Sequence, residues 1–301
     1  AQFFPAINPH DNRHLFVACD MGGAYVSYDQ GAHWRMFNLV NAVKGFAFDP
    51  VQPDVAYTLS TGLFKTSDKG RSWKLIFPLS SQLAALVSKG DHAELAMVTK
   101  DSNQVNVVSL AIDPLNRRQL YLLATENRKP FLFSTRDGGL HWKKEKQAPN
   151  GTRHVFIDPL SPVANRRLFI AGDSSLLQRK DGNWVSLSLP AGVKKLRDYS
   201  AGVDPRSKQF LLYAIGDEQP TGDTEPNGHV YLTTDGGTSW RAINNNLGNK
   251  ISLRTLATSV QHAGTIYVSY RQLPQTDNQM AAGVARSDDS GNTWQLVWKD
   301  L

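Results

Sequence analysis

One phrase of eight residues occurs five times in this chain of 301 residues. It reads Ser27-Tyr28-Asp29-Gln30-Gly31-Ala32-His33-Trp34 and returns at Thr66–Trp73, Thr135–Trp142, Thr233–Trp240 and Ser287–Trp294. A worn sixth copy is Asp181-Gly182-Asn183-Trp184. The invariant letters are Ser or Thr, then Asp, then Gly, then Trp. A tight hairpin turn needs a residue that tolerates positive φ, which glycine supplies without steric cost. An aspartate two positions earlier can accept bonds from the turn's own amides, and the hydroxyl residue adds a weaker bond. The tryptophan opens the outgoing strand and is expected to bury its ring between neighbouring repeats. Asp29, Asp68, Asp137, Asp235 and Asp289 are therefore expected to be structural rather than catalytic.

The pattern resembles the Asp-box, or bacterial neuraminidase repeat. Around each copy the grammar is constant. An apolar strand ends in Asp-Pro, as at Phe48-Asp49-Pro50, Ile112-Asp113-Pro114, Ile157-Asp158-Pro159 and Val203-Asp204-Pro205. A second strand follows, a third runs into the phrase, and the tryptophan opens a fourth. Short strands with turn signals, recurring every few tens of residues, predict an all-β chain: a β-propeller of four-stranded antiparallel blades. The repeats cover about 1–38, 43–78, 105–148, 153–188, 198–247 and 251–299, which suits a single propeller over 1–301 with six or seven blades. It also suits the first propeller of a longer protein.

Composition narrows the classes. The single cysteine, Cys19, cannot form an internal disulfide and reads as a small core residue. The formal charge is +6, but the cations are scattered, so no nucleic-acid surface is expected. No apolar run is long enough to cross a membrane, and no signal peptide opens the chain. The start, Ala1-Gln2-Phe3-Phe4, reads as processed or trimmed. No spacing of His and Cys suggests a metal, and no cofactor is expected.

In a four-stranded antiparallel blade the turns alternate between two edges. The Asp-Pro turns and the repeated phrases share one. The second-to-third turns and the links between blades share the other, and there the lengths vary: about 79–104, 216–228, 270–282, and Thr125-Glu126-Asn127-Arg128-Lys129-Pro130. Irregular loops gathered on one edge are the usual place for binding or chemistry. This loop edge should carry Glu126, Arg128, Tyr199, Tyr270, Arg271, His92, His154 and His229 as binding candidates. Asp217, Glu218, Asp223 and Glu225 fall in one loop with no cation in it, so mutual repulsion makes them candidate acids. A solvated acidic loop is the bland alternative.

The first repeat contains Cys19-Asp20-Met21-Gly22-Gly23-Ala24-Tyr25. This phrase resembles the T-D-[IV]-G-G-x-Y segment near the start of the xyloglucanase family of glycoside hydrolases, two-propeller enzymes built from Asp-box repeats. The resemblance implies Asp20 as general base of an inverting mechanism, which needs a pair of carboxylates flanking the bond. It also implies that the partner acid comes from a second propeller absent from this chain. The departures are Cys19 where the family has Thr, and no tryptophan free to serve as a sugar platform. Asp20 also reads as a plain turn aspartate.

The favoured reading is part of a xyloglucanase-like hydrolase acting on extracellular polysaccharide, located outside the cell or in the periplasm. Two alternatives stay open. One is a non-catalytic propeller that binds polysaccharide or protein. The other is a lyase on an acidic glycan, using histidines with Tyr270 and Arg271 for proton abstraction. Sialidase chemistry is disfavoured, since the Phe-Arg-Ile-Pro segment it would need is missing.

Overall fold

A computed structural model describes residues 2–19, 23–39, 41–89, 94–218, 228–244, 247, 251–272 and 282–299. At positions 2, 3, 89, 94, 218, 272 and 299 it describes the backbone alone. The described residues are almost entirely strand and turn. The exceptions are two short 3-10 turns, Ser80–Gln82 and Val163–Asn165. No helix is long and apolar enough to cross a membrane.

The chain divides into two compact units, 1–155 and 156–301. In the first unit, blade 1 is formed by β1 (Gln2–Asn8), β2 (Asp11–Cys19), β3 (Gly23–Ser27) and β4 (Arg35–Asn38). Blade 2 follows with β5 (Gly45–Phe48), β6 (Ala56–Leu59), β7 (Leu63–Thr66) and β8 (Lys74–Phe77). Next comes a hairpin, β9 (Leu83–Lys89) and β10 (Glu94–Thr99). Blade 3 is β11 (Gln104–Ile112), β12 (Leu120–Glu126), β13 (Lys129–Thr135) and β14 (Lys143–Gln147).

The boundary between the units falls within β15 (Thr152–Asp158), the first strand of blade 4, which continues with β16 (Arg167–Gly172), β17 (Ser175–Lys180) and β18 (Asn183–Leu187). Blade 5 comprises β19 (Val193–Asp204), β20 (Gln209–Glu218), β21 (Gly228–Thr233) and β22 (Arg241–Ala242). Blade 6 comprises β23 (Ile251–Ser259), β24 (His262–Gln272), β25 (Ala282–Ser287) and β26 (Gln295–Lys299). Every blade is an antiparallel meander in chain order, and the hairpin extends blade 3 into a six-stranded sheet ending at β9. Six such blades make this a β-propeller fold.

The repeated turn is built identically in blades 1, 2, 3, 5 and 6. In blade 2 the Thr66 hydroxyl donates to Asp68 Oδ1 at 2.7 Å and accepts the Gly70 amide at 2.8 Å. Asp68 also accepts the Ser72 amide at 2.8 Å and the Ser72 hydroxyl at 2.6 Å. His33 and His141 give their Asp partners a ring-nitrogen contact of 2.7 Å at the same position. The hydroxyl is thus the hub of the turn, a larger role than the weak bond expected of it. Two successive residues take positive φ, Lys69 at 61° and Gly70 at 86°, which sets the sharp reversal. The second is always glycine, and in blades 2, 3, 5 and 6 a side chain there would also strike the preceding blade. At Gly139 it would lie 2.8 Å from Ile76 Cδ1, and at Gly291 2.3 Å from Ile243 Cδ1. The worn copy does not build this turn: Asp181 Oδ1 instead accepts the Asn165 side-chain amide at 3.2 Å.

The Asp-Pro turns use a second, simpler device. Asp49 Oδ1 accepts two amides, from Val51 and Gln52, each at 2.9 Å. Asp113 and Asp158 cap the equivalent turns through the amides of Leu115 and Leu160. All three carboxylates are buried, where such bonds are what keeps a buried charge tolerable.

Packing is blade on blade. Tyr57, Leu63, Ile76 and Phe77 of blade 2 interdigitate with Val107, Leu120, Leu122 and Phe133 of blade 3. Blade 4 contributes Phe169, Ala171 and Leu176 to a core shared with Leu196, Tyr199, Leu212 and Ala214 of blade 5. Blades 5 and 6 meet through Tyr213, Ile215, Val230, Leu253, Ile266 and Val268. Each fully buried Leu or Ile contributes about 2 kcal/mol relative to exposure, so these seams rather than the turns hold the blades together. Cys19 is half-buried, not fully inside.

Candidate functional site

The second-to-third turns and the inter-blade links share an edge in each unit, as the antiparallel order of the strands requires. In the first unit this edge is dominated by the segment expected from the sequence to be a long irregular link. β9 and β10 form a hairpin, paired in register from Lys89↔Glu94 to Ala85↔Val98. The hairpin is not detached. Met97 is buried against Ala18, Ala24, Leu39, Val43 and Phe64 of blades 1 and 2. The Asn41 side chain donates to the Leu95 carbonyl at 3.1 Å, and the Lys100 amide to the Gln82 carbonyl at 2.8 Å. Close approach is possible because position 62 is glycine, where a side chain would meet Met97 Sδ at 3.0 Å and the Phe77 carbonyl oxygen at 2.9 Å.

At the base of the hairpin lies a shallow concavity of about 260 Å³, lined by Asn103, Glu126, Asn127, Lys129, Phe131 and Lys144. The β12–β13 turn beside it is a tight two-residue hairpin rather than the open loop expected. Asn127 and Arg128 both take positive φ, 51° and 68°, while Glu126 pairs with Lys129 across the strands. Asn127 locks this turn to the hairpin's outgoing corner: its side chain accepts the Gln104 amide and donates to Asn103, both at 2.9 Å. The Lys144 ammonium lies 3.6 Å from the centre of the Phe131 ring and forms an ion pair with Glu126. An ammonium over a ring face beside a carboxylate is held by both attractions. The result is a fixed patch of carboxylate, ammonium, amide and ring edge. Lys144, Phe131 and Asn103 were not singled out from the sequence. They come from two further strands and a link, and no spacing between them marks the cluster.

The remaining candidates divide by environment. Asp20, His92, Asp223 and Glu225 lie outside the described residues. Glu218 ends β20 opposite Val193, described by its backbone only. Asp217 is also part of β20, and it is not without a cation. Arg197 Nε on the neighbouring strand donates to Asp217 Oδ2 at 2.6 Å, with both side chains mostly buried. The repulsion expected of that acidic loop is therefore relieved at Asp217 by an arginine fixed across the strand pair. Its other oxygen, Oδ1, has no partner among the described atoms.

Tyr199 and Tyr270 are not exposed ring platforms. Tyr199 is buried, its hydroxyl donating to the Gly172 carbonyl at 2.5 Å. Tyr270 is buried beside Gly283, where any side chain would come within 2.5 Å of its hydroxyl oxygen. Both sit on long strands whose alternation turns them into the blade seam instead of outward. His229 is half-buried, with Nδ1 3.2 Å from the Asn244 side-chain oxygen. Arg271 is exposed at the end of β24 opposite Ser252, and His154 is half-buried on β15. Among the described residues no three of His, Cys, Asp and Glu converge as metal ligands.

No family model matches the chain, and no curated protein matches it either. Solved structures do. The chain is similar to the GH74 enzyme of Niastella koreensis, with a TM-score of 0.67 and 19% identity over 98% of this chain and 44% of that one. It is similar to the GH74 xyloglucanase from Xanthomonas campestris, with a TM-score of 0.58 and 13% identity over 97% of this chain and 60% of that one. A structure described as YCF48 bound to D1 peptide matches at a TM-score of 0.56 and 16% identity, over 98% and 82% of the two chains. The chain thus spans less than half the length of the GH74 enzyme from Niastella koreensis. At these identities the likeness is one of fold: the β-propeller is shared by hydrolase domains and by a peptide-bound protein alike.

Proposed function

We propose that this chain is a polysaccharide-handling Asp-box propeller from a xyloglucanase-like glycoside hydrolase acting outside the cell or in the periplasm. The observation that carries the reading is the packing of Met97 into one core cluster with Ala18 and Ala24. In the chain these residues precede and follow the Asp20-Met21-Gly22-Gly23 phrase, and the hairpin stands as a wall against their two strands, β2 and β3. Glu126, Lys144 and the Phe131 ring edge lie at the foot of the same wall. A ring edge with fixed hydrogen-bonding groups suits a sugar hydroxyl face. In this role Asp20 activates water, and the partner acid is supplied from a second propeller. Glu126 and Arg128 position the chain of sugars.

Binding is tested before turnover, because this chain supplies only one of the two carboxylates. Native electrophoresis through gels cast with xyloglucan, another neutral β-glucan or a uronate polymer reads affinity directly. Retardation on a neutral β-glucan, weakened by Glu126→Gln and by Lys144→Ala, is the expected result. Where reducing ends are released, Asp20→Asn abolishes them and leaves thermal unfolding unchanged. Retardation on none of the three polymers, or turnover that survives Asp20→Asn, sinks the reading.

A second reading, a binding propeller without catalysis, is favoured by one fact. Asp217, the one candidate acid whose side chain is described, is engaged by a cation. It predicts retardation with no reducing ends under any condition.

A further inference from the structure

The hairpin has a second property that the polysaccharide reading does not use. β9 is the last strand of its sheet, paired with β10 on one side and with nothing on the other among the described residues. Its sequence, Leu83-Ala84-Ala85-Leu86-Val87-Ser88-Lys89, is apolar almost throughout, yet Ala84, Ala85, Leu86, Val87 and Ser88 are all exposed. Leu86 is 49% and Val87 44% exposed. Successive residues of a strand point to opposite faces, so both faces of β9 are bare and apolar. Natural edge strands are usually blunted by proline, inward charge or a cover. Over 85–88 this one has none of these among the described residues.

The strand is also held still. Its partner β10 is anchored by buried Ala96 and Met97, and the Asn41 and Lys100 bonds fix the two ends of the hairpin. A rigid edge loses little freedom when a further strand is added.

We propose that β9 is a docking edge for an extended peptide of another protein, added as a seventh strand to the sheet of blade 3. The size of the edge selects this occupant over a second copy of the chain. A register shift between Val98 and Thr99 leaves Ala84 unpaired and bulged, so the regular run is only Ala85–Lys89. Five residues of strand pairing match the length used when a linear peptide adds to a sheet edge. They fall well short of the roughly 1,200 Å² or more that a stable complex of two folded proteins buries. The side-chain requirement follows from the two bare faces. The peptide needs adjacent apolar residues, one to cover Leu86 and the next, on the other face, to cover Val87. β-branched residues fit best, since they favour the extended backbone before binding.

The probe is a fluorescein-labelled heptapeptide with a central Val-Ile pair flanked by Thr and Ser, read by fluorescence anisotropy against the intact chain. Saturable binding with a dissociation constant on the order of 100 µM is expected for so short an edge. A peptide of the same sequence, N-methylated on the central residues, keeps the side chains but loses the strand donors, and it binds about tenfold more weakly or not at all. Val87→Glu weakens the parent peptide by about tenfold, whereas Leu115→Glu, at an exposed apolar turn position elsewhere in blade 3, leaves it unchanged. Circular dichroism confirms that both variants remain folded. Three results overturn the proposal: no saturation at about 1 mM peptide, equal binding of the N-methylated peptide, or a dimer in sedimentation that Val87→Glu abolishes. The last assigns the edge to a second copy.

Discussion

The indole N–H of Trp142 donates to the carbonyl oxygen of Ile76 at 2.7 Å, so the last strand of blade 3 is hooked to the last strand of blade 2. The same hook joins Trp294 to Ile243 at 2.7 Å and Trp240 to Ser188 at 3.0 Å. The acceptor stands three or four residues past the preceding blade's own tryptophan, so the hook is part of the repeat. Trp73 and Trp34 depart from it: the indole nitrogen of Trp73 is buried with no partner among the described residues, and Trp34 is 41% exposed. Truncation should expose the difference. Trp142→Ala is expected to destabilise the first unit by about 3 kcal/mol, through lost burial and a stranded carbonyl, and Trp34→Ala by less than about 1 kcal/mol. Urea midpoints of the two variants, compared with the parent, measure this.

Gly139 and Gly31 separate backbone strain from blade contact. Both take positive φ, 99° and 91°, so alanine is strained at either. At Gly139 the added carbon also meets Ile76 Cδ1 at 2.8 Å, whereas at Gly31 it meets only the repeat's own Trp34 at 3.3 Å. Gly139→Ala is expected to cost about 1–3 kcal/mol more than Gly31→Ala. Equal losses in thermal unfolding would show that the turn alone, and not the seam, requires glycine.

Acid should loosen the repeated turns. At Asp68 burial alone would raise the carboxyl pKa, but the Ser72 hydroxyl and amide and the Thr66 hydroxyl outweigh it and bring it to about 2. At Asp235 the Ser239 hydroxyl and amide, with Thr233, bring it to about 2 as well. A folded-state pKa below the unfolded one means the stabilisation is complete above the unfolded value of 3.8 and is lost as pH falls through about 2. Melting temperature is therefore expected to drop between about pH 4 and pH 2. Asp68→Asn should lower it at neutral pH by roughly 5 °C while shrinking the further loss in acid. An unaltered acid dependence in Asp68→Asn would assign the effect elsewhere.

The Arg197–Asp217 pair should behave as a buried pair does. Arg197→Met leaves Asp217 without its cation and is expected to cost about 2–3 kcal/mol, while the double variant with Asp217→Leu recovers most of that loss. A double variant no more stable than Arg197→Met alone would mean that the arginine acts mainly by packing. Chemical denaturation of the three variants decides between these outcomes.

Legibility followed the range of the interaction. Asp68, Gly70 and Trp73 lie within one turn of chain, and their bonds are nearly all local, so six repeats and their order could be read from the sequence, while the choice between six blades and seven could not. The candidate site was harder to read. Glu126 and Arg128 were named for sitting in a variable turn, but the partner that defines Glu126 is Lys144, from the far strand of the blade. Asp217 was read as one of several unpaired acids because Arg197 stands twenty positions earlier and meets it only through the strand pairing. Tyr199 and Tyr270 were read as surface rings because the ends of β19 and β24 run several residues past the expected loop boundaries.

By itself the sequence determined the blade: its strand count and its two kinds of turn depend on residues close together in the chain. Only the tertiary structure decided what stands at the loop edge. β9 and β10 carry no repeat and pair with each other, and the hairpin becomes a wall only where Met97 joins the cluster of Ala18 and Ala24 and passes Gly62. That fit is a matter of volume between distant segments, which no local pattern encodes.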